Sequence, residues 1–209
     1  DTLSLHDALP IFTAVAIGAG SELSEWRKAR EESLRGPSGW LSVAGLFWLT
    51  PDDAGNGEFT IGSGPDNKVQ LPASAPGHLG VLSLKNKQVT LTVADGESAL
   101  VNGKVATKTV LNSDATDRPD TVQVADLKFR IIERGGRVGV RLYDPNAKTR
   151  TEFKGLKWFE PTDKYVVTAK FTPYVPHKEI RITNILGDTS PVGSPGYVTL
   201  SIDGKEYRL

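Results

Sequence analysis

Short turn signals recur along this chain at intervals of roughly ten residues, and they constrain its fold more than any other feature. Asn102-Gly103, Gly135-Gly136 and Asp203-Gly204 favour the two-residue turns of β-hairpins, because these residue types tolerate positive φ. The segments between the turns are short and alternate apolar with polar residues, as half-buried strands do. The sequence therefore predicts a mainly β protein whose antiparallel strands form a β-sandwich. The predicted strands of the sandwich cover residues 59–61, 69–71, 81–84, 88–93, 99–101, 107–111, 121–124, 127–133 and 137–143.

An uncharged apolar run at residues 40–49 contains two of the four tryptophans, Trp40 and Trp48. The run is too short to cross a membrane as a helix, which takes about 20 apolar residues. We therefore expect it to be part of the core, with Trp40, Phe47 and Trp48 buried. Turn-forming residues at 51–57 follow the run and reverse the chain.

One N-terminal helix is predicted at residues 21–35, within an N-terminal helical segment at 21–38. Apolar residues recur there at three- and four-residue steps, and oppositely charged residues four apart occupy the other side. Gly36-Pro37 then ends the helix. The β-sandwich domain is assigned to residues 39–146, and a second antiparallel β segment to residues 147–209, with strands at 165–173, 179–184, 197–202 and 205–209. Because the last predicted strand is also the end of the sequence, we expect this second segment to be incomplete.

The first 20 residues are set apart from the fold. Residues 2–11 read as one frame of a short-read sequencing adapter, so we interpret them as an assembly artefact. Residues 12–20 are small and apolar, which is typical both of the end of a signal peptide and of an ordinary N-terminal strand. The first interpretation predicts export to the periplasm or the extracellular space, and the second a cytoplasmic location.

Charge and composition exclude several classes of function. Lys plus Arg and Asp plus Glu number 25 each, so no basic excess indicates nucleic-acid binding. Cysteine is absent, which excludes disulfides, thiolate catalysis and zinc–thiolate sites. We find no metal, phosphate-loop or nucleophile-elbow motif. The sequence therefore predicts no metal site, no cofactor and no integral membrane segment.

Several words in the sequence resemble one protein family. They are Trp26-Arg27, the words GWL and GLFWL within residues 39–49, residues 67–72, the segment 137–144 and Trp158-Phe159. On these residues the chain, from about residue 22 to 209, is similar to the bacterial and archaeal family called domain of unknown function 1684 (DUF1684). The resemblance implies a β-rich architecture, further strands and a cysteine- and proline-containing stretch beyond residue 209, and no defined activity.

The order of strands and turns is also similar to that of forkhead-associated domains, which bind phosphothreonine. The similarity rests on residues 59–62, 69–71, 81–84 and 100–104. Those domains place an arginine after the glycine of the first of these segments, whereas this chain has Ser63, and His78 lacks the accompanying serine. The likeness therefore implies a sandwich without the phosphopeptide site.

The strongest candidate binding residues are Arg137 and Arg141. They share parity with Gly139 on one strand, so both guanidinium groups should project from the same sheet face with only a glycine between them. Such a pair can hold a carboxylate or phosphate of an anionic small molecule by bidentate hydrogen bonds. The alternative is a cross-strand ion pair, for example Arg141 with a carboxylate, that only stabilises the sheet.

Catalytic candidates are few. His78 and Asp144 are the polar residues that could serve acid–base chemistry beside Arg141, although an exposed or capping histidine is an ordinary structural finding in such a loop. Two functions remain open. The first is a non-catalytic β-rich binding or scaffolding protein; the alternative is a hydrolase or other small-molecule enzyme whose site is completed by a missing C-terminal part. Convergence of Arg141, Asp144 and His78 on one pocket would favour the enzyme.

Overall fold

The computed structural model describes residues 21–184, 187 and 189–209. The adapter-like segment 2–11, with His6, and the small-residue stretch 12–20 lie outside the described residues, so the predictions made for them stay predictions. The chain divides into two compact units, one of residues 28–156 and one of residues 157–209 with the described residues 21–27. The sequence places its domain boundary ten residues earlier, after residue 146.

The predicted helix is α1, Ser21–Arg35. Lys28 with Glu32 and Glu31 with Arg35 form the predicted ion pairs one turn apart, at 3.9 and 3.8 Å. The helix ends in a tight turn in which the Gly39 amide donates to the Gly36 carbonyl at 2.8 Å. A Cβ atom at Gly39 would lie 2.4 Å from the carbonyl oxygen of Ser33, so this close return to the helix end requires glycine.

Six strands form the first sheet of the larger unit: β1 (Val43–Trp48), β6 (Ala99–Val101), β7 (Lys104–Ala106), β9 (Val122–Val124), β10 (Leu127–Arg134) and β11 (Arg137–Tyr143). Their order across the sheet is β1-β11-β10-β9-β6-β7, with every pairing antiparallel. Gly135 and Gly136 both have positive φ, and they form the two-residue turn that connects β10 to β11. This turn pairs Arg134 with Arg137 and sets the register of the whole hairpin.

The second sheet has five strands: β2 (Asn56–Gly62), β3 (Val69–Gln70), β4 (Gly80–Lys85), β5 (Gln88–Val93) and β8 (Lys108–Leu111). Their order is β3-β2-β4-β5-β8, and only the short β2–β3 pairing is parallel. Alternate residues of both sheets form a common core, including Ile61, Leu82 and Val140, all with 0% exposure. The predicted antiparallel sandwich is confirmed.

The apolar run is less buried than predicted. It supplies a 3₁₀ turn (Trp40–Ser42) and then β1, and Leu49 at its end is buried in the core. Phe47 packs against that core, but Trp40 is 65% exposed and Leu46 is 41% exposed. The expectation that Trp40 is buried was wrong, because Trp40 lies in the 3₁₀ turn before β1, where its ring packs against Arg141. Phe47 and Trp48, which were also expected to be buried, are half-buried.

The smaller unit contains a three-stranded antiparallel sheet in the order β12 (Lys170–Thr183), β13 (Thr189–Ile202) and β14 (Lys205–Arg208). Residues 163–165 form a 3₁₀ turn rather than the predicted start of a strand, and the side chain of Thr162 caps this turn by accepting from the Lys164 amide. β12 and β13 are longer than predicted. The predicted strands 165–173 and 179–184 are parts of one strand, β12, because a register shift between Pro173 and Lys178 lets its pairing with β13 continue past the prolines. A short helix, α2 (Lys148–Thr151), belongs to the larger unit and precedes its end at residue 156.

No helix among the described residues is both long enough and apolar enough to span a bilayer.

Candidate functional site

The outward face of the first sheet carries the predicted arginines. Val138, Val140 and Leu142 of β11 lie in the core with 4%, 0% and 1% exposure. The residues that alternate with them, including Arg137 and Arg141, therefore face outward. Both are more exposed than these neighbours. Their common face was a prediction from parity; Arg137 is exposed and Arg141 is half-buried, whereas Gly139 and Tyr143 of the same parity are buried.

The space between the two arginines is occupied by Trp48. This residue is directly opposite Gly139 in the β1–β11 pairing. A Cβ atom added at Gly139 would lie 2.9 Å from Cε3 of the indole and 3.0 Å from the carbonyl oxygen of Phe47, so the indole rests on the glycine backbone. The sequence predicted that only a glycine separates Arg137 from Arg141, whereas in the structure the indole ring of Trp48 lies over that glycine.

Each arginine stacks on a tryptophan of the apolar run. The guanidinium carbon of Arg137 lies 4.4 Å from the ring centroid of Trp48, and that of Arg141 lies 5.2 Å from the ring centroid of Trp40. A guanidinium over an aromatic face gains from the negative potential of the ring and loses rotamer freedom. The two arginines are therefore oriented separately, each on its own tryptophan, and they do not form one clamp.

Two further arginines, both of β10, lie directly opposite these on the same face. Arg130 pairs with Arg141, and Arg134 pairs with Arg137. Like charges directly opposite each other on antiparallel strands repel, which destabilises the sheet unless an anion lies nearby.

Arg134 has such an anion in Asp114. The two guanidinium nitrogens of Arg134 donate to the two carboxylate oxygens of Asp114 at 2.9 and 2.6 Å, and the amide of Glu133 donates to Oδ1 at 3.0 Å. Burial alone would raise the pKa of Asp114, but the hydrogen bonds from Arg134 and Glu133, with the charges of Arg134 and Arg141, lower it below its usual range. The same contact raises the pKa of Arg134. Arg134 therefore has a bonded carboxylate within the protein, and the same carboxylate interacts with Arg141 through its charge.

Among the described residues, the Arg130–Arg141 pair has no salt-bridged carboxylate, and Asp114 acts on Arg141 only at longer range through its charge. Nε of Arg130 donates to the Thr121 hydroxyl at 2.9 Å, and Arg141 stacks on Trp40. Within residues 21–184, 187 and 189–209, neither guanidinium forms a salt bridge. Both side chains are half-buried, so the repulsion between them is less screened than it would be in open water.

A cavity of about 500 Å³ adjoins Arg141. Its wall is formed by the end of α1 and the tight turn after it, and its floor by β1 and β11. The turn is held by the Gly39 amide on Gly36 and by the hydroxyl of Ser42, which donates to the Gly39 carbonyl at 2.7 Å. The residues that line the cavity are Ser33, Gly36, Pro37, Ser38, Gly39, Trp40, Val43, Arg141 and Tyr143. Its size is in the range of small-molecule sites, and Arg141 is the charged side chain in its wall.

His78 lies elsewhere, in the loop before β4 of the second sheet. Its Nδ1 is 3.4 Å from Oδ1 of Asn67, at a shallow cavity of about 260 Å³. Asn67 in turn donates to the carbonyls of Gly64 and Gly77, and the hydroxyl of Ser63 donates to the carbonyl of Ala75 at 2.8 Å. These bonds connect one loop to the next.

Asp144 has a local role in the turn after β11. Its Oδ1 accepts from the Asn146 amide at 2.7 Å, and its own amide donates to the carbonyl of Ser42 at the same distance. Asp144 lines neither the cavity beside Arg141 nor the one beside His78. Arg141 and His78 line different cavities and Asp144 lines neither, so the geometry of the described residues adds no support to the enzyme hypothesis. No cluster of three or more metal-ligating side chains occurs in the part of the chain that the structure describes.

Sequence reasoning missed Arg130 and the roles of Trp40 and Trp48. Arg130 was within reach of prediction, because the Gly135-Gly136 turn pairs 134 with 137 and, by counting back along both strands, 130 with 141. The tryptophan contacts depend on pairing β1 with β11, which are about 95 residues apart. No local signal predicts a pairing of that separation.

Comparisons with known proteins give one family match. Residues 151–209 match the family described as a protein of unknown function (DUF1684). Among solved structures, the refined NMR structure of the FHA1 domain of yeast Rad53 is similar over 65% of this chain and 99% of that chain, with 9% sequence identity and a TM-score of 0.28, which is too low to carry an argument. No curated protein matches the chain. The resemblance to the DUF1684 family is thus confirmed over residues 151–209.

Proposed function

We propose that this protein is a non-catalytic binding protein whose β-sandwich takes up an anionic small molecule beside Arg141. The observation that carries the proposal is the Arg130–Arg141 pair, two half-buried guanidinium groups directly opposite each other without a salt bridge among the described residues. In the equivalent pair on the same strands, Arg134–Arg137, Arg134 forms a salt bridge with Asp114. A carboxylate or phosphate bound in the cavity would give Arg141, which lines it, a bonded anion and would lessen its repulsion with Arg130.

The surroundings of Arg141 fit a small ligand. The cavity beside it is about 500 Å³ and is bounded by the exposed ring of Trp40, the hydroxyl-bearing residues Ser33 and Ser38, and Tyr143. Trp40 offers a flat apolar surface, and Arg141 is already oriented by stacking on it. A ligand with one anionic group and a compact body satisfies both features, because less side-chain entropy is lost when the guanidinium is oriented in advance.

The test is a thermal-shift screen of inorganic phosphate and of small mono- and dicarboxylates, all at one ionic strength made up with sodium chloride. A ligand that binds only the folded protein stabilises it by about 2.7 kcal/mol at 100 times its Kd. That stabilisation corresponds to a rise in Tm of about 5–10 °C for a chain of this length. At least one anion should raise the Tm in a saturable manner.

Variants separate binding at the site from general salt effects. Arg141→Gln should remove the shift, and Arg141→Lys should restore only part of it, because lysine keeps the charge but loses the bidentate fork and the stacking. Arg118→Gln is the matched control, since Arg118 is exposed in the polar loop before β9. The proposal is contradicted if none of the anions raises the Tm, or if the shift is equally large in Arg141→Gln.

A further inference from the structure

Among the described strands, β12 pairs with β13 alone, so it forms one edge of the three-stranded sheet. The backbone groups on the outer side of an edge strand are able to pair with a further strand. Proline lacks the amide that such pairing needs, and Pro173 and Pro176 occur in the first part of β12. The proline-free remainder, residues 177–183, is therefore the part of this edge that can accept another strand, and we call it the edge segment.

Two opposite charges of the edge segment lie on one face. Glu179 and Arg181 are two residues apart on the strand, so their side chains project from the same face, and both are exposed. Opposite them in β13 lie Gly193 and Pro191, which carry no charge. In the part of the chain that the structure describes, neither Glu179 nor Arg181 forms a salt bridge. Their own sheet therefore gives these two charges no cross-strand partner.

The other face of the edge segment is apolar. Ile180 and Ile182 lie there with 46% and 52% exposure, and Val192, which pairs with Ile180, is 45% exposed. Exposed β-branched residues on an uncovered edge strand favour the addition of a further strand, because the added strand removes apolar surface from water and pairs the backbone groups.

We propose that two copies of this chain associate by antiparallel pairing of their edge segments about a two-fold axis at Ile180. Ile180 is the middle residue of the edge segment, so pairing the segment with itself along its full length places Ile180 opposite Ile180 of the second copy. In the same register, Glu179 lies opposite Arg181 of the second copy, and Arg181 opposite Glu179, as a two-fold axis requires. Opposite charges placed in this way on antiparallel strands stabilise their pairing.

The neighbouring registers are disfavoured by charge. A two-fold axis at residue 179 places two glutamates opposite each other, and an axis at residue 181 places two arginines opposite each other. Charge complementarity thus selects the same register as the length of the proline-free segment. The dimer is independent of the anion site, because β12 belongs to the smaller unit and the cavity beside Arg141 to the larger one.

Sedimentation velocity over a concentration series tests the association. The contact is small, so the Kd should be on the order of 100 µM, with the mass rising from 22.6 kDa to twice that value. Glu179→Arg and Arg181→Glu should each weaken the dimer about tenfold or more, because each variant places like charges opposite each other at both contacts. An equimolar mixture of the two variants should restore dimers, since every contact then joins an acidic to a basic side chain. Arg118→Glu, at an exposed position in the larger unit, is the control and should dimerise as the wild type does.

A cysteine pair tests the register directly, because the chain has no cysteine of its own. In Ile180→Cys the two Cβ atoms would lie about 5 Å apart across the two-fold axis. In Ile182→Cys the two positions would be offset by four residues, or roughly 13 Å along the strands, which is too far for a disulfide. Mild oxidation should therefore cross-link Ile180→Cys much faster than Ile182→Cys.

The proposal is overturned if the chain remains monomeric up to about 1 mM, as it would if another part of the protein covered this edge. It is also overturned if the two charge variants dimerise as the wild type does, if their mixture stays monomeric, or if both cysteine variants cross-link at the same rate.

Discussion

The contact of Trp48 with Gly139 yields the sharpest single prediction. In Gly139→Ala, the new methyl group would lie 2.9 Å from Cε3 of the indole and 3.0 Å from the carbonyl oxygen of Phe47, where ordinary contacts are 3.4–4 Å. The indole or strand β1 must therefore move by about half an ångström in a closely packed region. Overpacking of this kind costs about 1–3 kcal/mol.

A second effect acts in the opposite direction. Replacing glycine by alanine stabilises a protein by about 0.4–1 kcal/mol where the backbone permits it, because the unfolded chain loses freedom. The net expectation for Gly139→Ala is a loss of about 1–2 kcal/mol, or about 3–6 °C in Tm. Gly77→Ala is the matched control, since a Cβ atom there would meet no atom within 4 Å.

Urea unfolding followed by circular dichroism measures both variants, and near-ultraviolet circular dichroism reports the environment of the tryptophans. We expect Gly139→Ala to unfold at lower urea with an altered aromatic signal, and Gly77→Ala to unfold at the same or higher urea. Equal stability changes in the two variants would refute the placement of the indole on Gly139.

Three other predictions concern stability. The pKa of Asp114 is lowered in the folded state below its usual value of 3.8, so its stabilising effect is fully present above about pH 5 and is lost as the pH falls through the lowered pKa. Asp114→Asn should therefore lower the free energy of unfolding by about 1–2 kcal/mol at neutral pH, and by less below about pH 4. Urea unfolding at several pH values measures this loss, and an equal loss at pH 3 and pH 7 would contradict the prediction. Leu82→Ala, at a position with 0% exposure, should lower the free energy of unfolding by about 3–5 kcal/mol, whereas Val105→Ala, at 76% exposure, should change it by less than about 0.5 kcal/mol. Similar losses in both variants, measured by urea unfolding, would argue against the core assignment. Asn102 has a φ of 50°, and its side chain forms hydrogen bonds with Asp120 and with the Thr121 amide. Asn102→Ala should therefore lower the free energy of unfolding by about 1–2 kcal/mol, and by more than Asn102→Gly, because glycine accepts the positive φ. The reverse order of the two variants in thermal unfolding would be inconsistent with this turn.

Much of the sandwich was predictable because its information is local. Period-two alternation and two-residue turns located β5, β6 and β11 with the bounds that the structure has, and the helix at 21–35 followed from its charge spacing and the Gly36-Pro37 stop. The exposure of Trp40 was not predictable in this way. An apolar run predicts burial of every residue only when its strand is covered on both faces, whereas Trp40 lies in the turn before β1 and only one face of the β1 sheet packs on the common core.

The candidate site was predictable in part. Parity on one strand predicted the common face of Arg137 and Arg141, and the hairpin turn was sufficient to add Arg130. Their separation by Trp48 depends on the pairing of β1 with β11, and the cavity beside Arg141 combines the turn after α1 with these two strands. Spacing in the sequence carries no information about such long-range contacts.

The most direct test of an anion site beside Arg141 is an NMR titration of the arginine Nε–H signals with the anion that the thermal-shift screen selects. The account predicts saturable shifts at Arg141 and Arg130, with the signal of Arg118 unchanged and that of Arg134, held by Asp114, nearly so. Shifts of equal size at all four arginines, or saturation confined to arginines other than Arg130 and Arg141, would contradict it.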